Sequence, residues 1–110
     1  MIEEDAMLHD PKWDLKPHQK VLLNAAQYIR DHGWCQHVAS DGQGRVCLTG
    51  ALYHNAQGLD YMDATYAIYA LTKTSLTEWN DTPGRTEQEV IGVLEKAAED
   101  AAAISQSHPT

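Results

Sequence analysis

A chain of 110 residues, 43% hydrophobic and 22% charged, suits one soluble globular domain. Sixteen acidic against eight basic residues, a net charge of −8 with no Lys/Arg run, argue against nucleic acid as a direct partner, because backbone binding needs a positive patch. The acidic start Met1-Ile-Glu-Glu-Asp5 and the lack of any apolar run near ~18 residues predict no signal peptide and no membrane span, hence a cytoplasmic protein with reduced Cys35 and Cys47.

Residues 1–15 have no sustained period and read as a flexible N-terminal arm, with Trp13 and Leu15 as its apolar anchors. Lys16-Pro17 opens a helix over 17–32, since proline at the first helical position forfeits no hydrogen bond. Leu22, Ala25, Ala26 and Ile29 give it one apolar face. Gly33 is its terminator, and Trp34 is placed to pack back onto Ile29. Two short β-leaning runs, Trp34–Ala39 and Arg45–Leu48, flank Ser40-Asp41-Gly42-Gln43-Gly44 and predict a β-hairpin lying on the helices. Leu48, Ala51, Leu52 and Asn55 share a helical face, with Gly58 as the expected stop.

Asp60 is the expected cap of a helix over 61–73. Ala64, Ala67, Ile68 and Leu71 form one stripe of it; Met62, Tyr66, Tyr69 and Ala70 form a second. A helix apolar on two sides is central to its fold or sits at an interface. Ser75-Leu-Thr-Glu78 and Thr86-Glu-Gln-Glu89 fit capping boxes. The first opens a single turn ending at Trp79. The second opens a last helix with Val90, Leu94, Ala97 and Ala101 in step. Polar composition after Ile104 makes 105–110 a disordered tail and leaves 16–104 as a single domain. The fold class expected is mainly α: three main helices, one or two short ones and a short β-hairpin insert.

No phosphate loop, dinucleotide fingerprint or serine triad is present. Cys35 with His37, and with His54 as a further member, is the catalytic candidate, a nucleophile beside a base, set against a small buried thiol beside a surface histidine. Cys35, His37, Cys47 and His54 carry zinc-ligand chemistry, but their spacing matches no usual pairing of ligands, so neither metal nor cofactor is expected. In Trp79-Asn80-Asp81 … Arg85-Thr86, Asp81 and Arg85 can pair across the turn and Asn80 can bond backbone. These residues either brace a loop or rim a small-ligand pocket with Trp34. Tyr53, Tyr61, Tyr66 and Tyr69, with Met62, line either the core or a groove for a partner helix or a second copy.

Taken together, Gly33-Trp34-Cys35-Gln36, Gly44-Arg45-Val46-Cys47-Leu48, Gly50-Ala51-Leu52, Trp79-Asn80-Asp81 and Arg85-Thr86 with Glu89-Val90 resemble a family of short uncharacterised actinobacterial and phage proteins, a domain of unknown function. The resemblance covers about residues 18–98. It implies a bacterial or phage source and carries over no activity, cofactor or partner. It adds nothing to His37 or His54, and draws attention to Cys35 with Cys47. The function expected is a non-enzymatic interaction module that self-associates or binds a protein. The alternatives are a cysteine-dependent acyl-transfer enzyme or a small-ligand-sequestering protein. The partner-binding residues expected are Trp34, Cys35, Cys47, Tyr66, Tyr69, Trp79, Asn80, Asp81 and Arg85.

Overall fold

The computed structural model describes residues 15–107, with side chains through Asp100. The expected arm at residues 1–14, Trp13 included, and positions 108–110 of the expected tail lie outside the described residues. Five helices follow in order: α1 (Pro17–His32), α2 (Leu48–Asn55), α3 (Gly58–Thr72), α4 (Leu76–Asn80) and α5 (Glu87–Ser107). No helix among the described residues is long and apolar enough to cross a membrane.

The core forms where the apolar faces of these helices meet. Leu22, Ala25, Ala26 and Ile29 of α1 are fully buried, as are Leu48, Ala51 and Leu52 of α2 and Ala64 and Ile68 of α3. Val90, Leu94 and Ala97 close it from α5, and Val46 enters from the loop. α1 and α5 make the most extensive contact; α2 and α3 both lean on α1, and α4 bridges α2 and α3. Alanine recurs at these contacts, and its small side chain lets helices approach closely while losing no side-chain entropy.

The helix ends follow local chemistry. Pro17 is the first residue of α1, and the Gly33 N–H donates to Ile29 O with Gly33 at φ 100°. Gln19 does two jobs: its Oε1 accepts from Lys16 N at 2.7 Å, and its Nε2 donates to Ala98 O at 3.0 Å. It is 2% exposed, so this amide both caps α1 and locks it to α5. Thr86 and Glu89 form the reciprocal capping box expected for α5. Ser75 accepts from Glu78 N, whereas the Glu78 carboxylate turns to Thr74, so that box is half made.

Two boundaries differ from the periodic pattern. α2 ends at Asn55, and Gly58 begins α3 instead of stopping α2. Asp60 lies in the first turn of α3 rather than at its cap, where its charge still complements the helix dipole. Lys73, left-handed at φ 61°, ends α3 by donating its N–H to Tyr69 O.

The expected β-hairpin between α1 and α2 does not form. Only two isolated bridges are present among the described residues: Trp34 pairs with Val46 in parallel sense and Ser40 pairs with Val46 in antiparallel sense. The loop wraps around Val46 instead of running out and back. Cys35 N donates to Val46 O, Val46 N to Gly33 O, and Cys47 N to Ala39 O. His37 at φ 75° breaks the first run, so it cannot stay extended. Asp41 then draws the chain into a turn by accepting from Gln43 N and Arg45 N and pairing with the Arg45 side chain. The loop closes down on α2 at Gly50, where a Cβ would lie 2.4 Å from Ala39 O.

Candidate functional site

Three features gather the residues singled out by the sequence: a polar hub at Asn80, a small pocket beside it, and the outward stripe of α3.

Asn80 is the last residue of α4 and is 1% exposed. Its Oδ1 accepts from the Trp34 indole Nε1 at 2.7 Å and from Leu48 N at 3.0 Å. Its Nδ2 donates to Cys35 O at 3.3 Å and Asp81 Oδ1 at 2.9 Å. The two acceptor sites and two donors of the amide are all used. These bonds take up groups of the loop and the α2 start that a hairpin ladder would otherwise have engaged. Gln36 Nε2 donates to Asn80 O and Thr82 O, and His37 N donates to Asp81 Oδ1 at 2.9 Å. Among the described residues no buried side-chain polar atom lacks a partner.

Asp81 and Arg85 do not pair across the turn as the sequence suggested. Asp81 faces His37, with Nδ1 to Oδ2 at 3.7 Å. Arg85 lies over the Trp79 indole at 3.8 Å from the ring centroid, and its Nε donates to Trp79 O. Arg85 thereby folds back on its own loop and braces it.

The thiols are both free. Cys47 is the N-cap of α2: its sulfur accepts from Gly50 N at 3.4 Å and lies 3.1 Å from Thr49 Oγ1. Cys35 donates to Val38 O at 3.5 Å. Burial pushes the Cys35 thiol above its ordinary value, and the Asp41 carboxylate pushes it the same way. His54 belongs elsewhere: it stacks on Tyr28, which also stacks on His32. Cys35, His37, Cys47 and His54 are therefore not assembled, and no metal-holding group of three or more His, Cys, Asp or Glu occurs among the described residues.

A pocket of about 180 Å³ opens between the loop and α4, lined by His37, Val38, Ala39, Cys47, Thr49, Thr77, Asn80 and Asp81. Trp34, Trp79 and Arg85 are not among its walls. It is smaller than the ~300–1,000 Å³ of ordinary ligand sites.

The second stripe of α3 faces away from the core. Leu59 is 75% exposed, Met62 48%, Tyr66 67% and Tyr69 50%. With Thr65 and Leu76, the last three line a groove of about 350 Å³. Tyr61, by contrast, is half-buried against the core and meets exposed Tyr53 edge-on.

Gln19 stands three residues after Lys16, the glutamine position of a capping box, but a lysine at the cap offers no side-chain acceptor, so the sequence carries only half of that motif. Asn80 was singled out, but not as the hub.

Two measurements probe the hub. Asn80→Leu keeps the bulk but strands the Trp34 indole, Leu48 N and Cys35 O, each worth about 1–3 kcal/mol when left unpaired. Urea unfolding is expected to show a loss of about 4 kcal/mol; a loss under about 1 kcal/mol refutes the role. The Asp81 carboxyl is held below its ordinary value first by the Asn80 amide and then by the His37 N–H. Its folded pKa lies under the unfolded ~3.9, so its stabilisation is complete above about pH 5 and is lost as pH falls through the folded value. Asp81→Asn is expected to be less stable than wild type at neutral pH, the two converging in acid. A difference that stays constant with pH contradicts this assignment.

No curated protein and no solved structure matches the chain. A family model does match, over residues 15–100, which span the hub, the pocket and the α3 stripe. The chain thus belongs to DUF6197, a family of unknown function.

Proposed function

We propose that this chain is a non-enzymatic interaction module whose working surface is the outward stripe of α3. The proposal takes it to be a cytoplasmic accessory protein of a bacterium or phage, as the resemblance of its tryptophan, cysteine and arginine motifs suggests. The observation that carries the reading is the exposure of Leu59, Met62, Tyr66 and Tyr69 along one helix face. Single exposed apolar residues are common, but a contiguous file of them marks a contact surface. Tyrosine and methionine are also enriched at protein interfaces, where a rigid ring and an adaptable thioether both fill pockets well.

The polar residues of the hub support the same reading by being used up. Trp34, Asn80 and Asp81 hydrogen-bond one another or backbone, and Arg85 engages Trp79 O and the Glu89 carboxylate. They hold the loop; the stripe is left to meet a partner. A photo-crosslinking residue at Met62, introduced in the native cell, tests this against a control at exposed Gln27 on α1. Specific adducts from position 62 alone are expected. Equal labelling from both positions, or none, removes the reading.

A second reading, thiol-dependent acyl transfer, has one observation in its favour: Cys47, His37 and Asp81 line one pocket. Its nucleophile is then Cys47, which lines that pocket, rather than Cys35, which does not and whose thiol burial pushes up. Alkylation of Cys35→Ser across pH reads Cys47 alone. The interaction module predicts slow labelling, because the Cys47 thiol is buried. Fast labelling that is lost in His37→Ala favours the enzyme.

A further inference from the structure

We propose that Cys35 and Cys47 are a redox modification site: the two thiols close into an intramolecular disulfide by exchange with a low-molecular-weight disulfide such as oxidised glutathione. The register of the loop between α1 and α2 carries the proposal.

Val46 N donates to Gly33 O, and Cys35 N donates to Val46 O. These two bonds make the parallel bridge between Trp34 and Val46, so position 33 lies beside 45 and position 35 beside 47. The first of these neighbours has a measured separation: a Cβ at Gly33 would stand 3.8 Å from Arg45 Cβ. Cys35 and Cys47 follow one side-chain repeat further along the same two segments. Segments paired in this way run about 4.8 Å apart, inside the roughly 4.4–6.8 Å between Cα atoms that a disulfide spans.

The two side chains also leave on one face. Trp34 and Val46 turn to the core, and the next residue along an extended segment points the opposite way. Cys47 accordingly lines the pocket rather than joining the core cluster. Ala39, which accepts from Cys47 N at 3.1 Å, lines the same pocket. Cys35 Sγ donates to Val38 O at 3.5 Å, so both cysteines border the stretch Val38-Ala39. Cys35 also senses its neighbour: after burial and the Asp41 carboxylate, Cys47 is the next group that pushes its thiol up.

The exchange needs no cofactor. The Cys35 thiolate, its proton given to water, attacks one sulfur of oxidised glutathione. The S–S bond of the reagent breaks, and one glutathione leaves as a thiolate that takes up a proton. The Cys47 thiolate then attacks Cys35 Sγ in the mixed disulfide and expels the second glutathione. The protein gives up two electrons and two protons, and oxidised glutathione gains them. Cys35 is the point of entry because it is partly exposed, whereas Cys47 is buried. The second step brings no reagent to Cys47, only the sulfur already held beside it. Burial and Asp41 make the first step slow at neutral pH and faster in base. Closing the bond takes Cys47 Sγ from Gly50 N and Cys35 Sγ from Val38 O. Oxidation thus exchanges the sulfur cap of α2 for a covalent tie between the exit of α1 and the start of α2.

The full chain equilibrated in glutathione buffers of rising oxidised fraction, then unfolded, alkylated and weighed by mass spectrometry, tests the proposal. Wild type is expected to become lighter by two hydrogens, to take up no alkylating reagent and to carry no glutathione. Its melting temperature is expected to rise by about 10 °C, because the bond joins residues twelve positions apart and constrains the unfolded chain. Cys47→Ser, in which serine keeps the cap, is expected to stop at the glutathione adduct on Cys35. Wild type that retains both thiols in the most oxidising buffer overturns the proposal. So does a stable glutathione adduct on wild type, or a bond that links two chains.

Discussion

Trp34, Leu48 and Cys35 lie 32 to 46 positions before Asn80 in the chain, and one carboxamide holds all three. Through Trp34 and Cys35 it fixes the exit from α1, through Leu48 N the entry to α2, and through its own place in α4 the base of the next loop. A buried amide with all four hydrogen-bonding sites engaged tolerates no other arrangement of those backbones, because each alternative strands a donor or acceptor in an apolar setting. The loop between α1 and α2 is irregular for that reason: its polar groups are satisfied by a side chain from far along the chain, not by a neighbouring strand.

The thiols and histidines take their meaning from the same constraint. Cys47 meets the first free N–H groups of α2, a place more often filled by serine or aspartate, and so serves as a cap. Cys35 lies beside Val46 in the wrapped loop, where burial and the Asp41 carboxylate disfavour its thiolate. His37 is spent on the turn through its positive φ and its contact with Asp81. Each of these side chains thus has a place in holding the loop.

Where the hub makes the loop rigid, α3 is left open. Its inner face, Ala64 and Ile68, is fully buried against the bundle, while the opposite side carries Met62, Tyr66 and Tyr69 into solvent. A helix in that position needs only one apolar face to fold. The second, Met62, Tyr66 and Tyr69, contributes nothing to the described core and is left exposed.

Much of the helical frame was legible in the sequence. The 3.6-residue period of α1 and α5, Pro17 at a helix start, Gly33 at a helix end and the Thr86–Glu89 box all act within a few residues of one another, and such interactions survive whatever the rest of the chain does. What only the tertiary structure decided lies at long range. Asp-Gly flanked by two β-leaning runs is locally compatible with a hairpin, and nothing within that segment reveals that Asn80 will bond it instead. Arg85 had both Asp81 and Glu89 near it in the sequence, and its packing onto Trp79 turned it to Glu89. Either stripe of α3 had the composition to be core. The contacts of α1, α2, α4 and α5 settled which one turned inward, because a cylinder packed on one side by its neighbours has only the other side left for water.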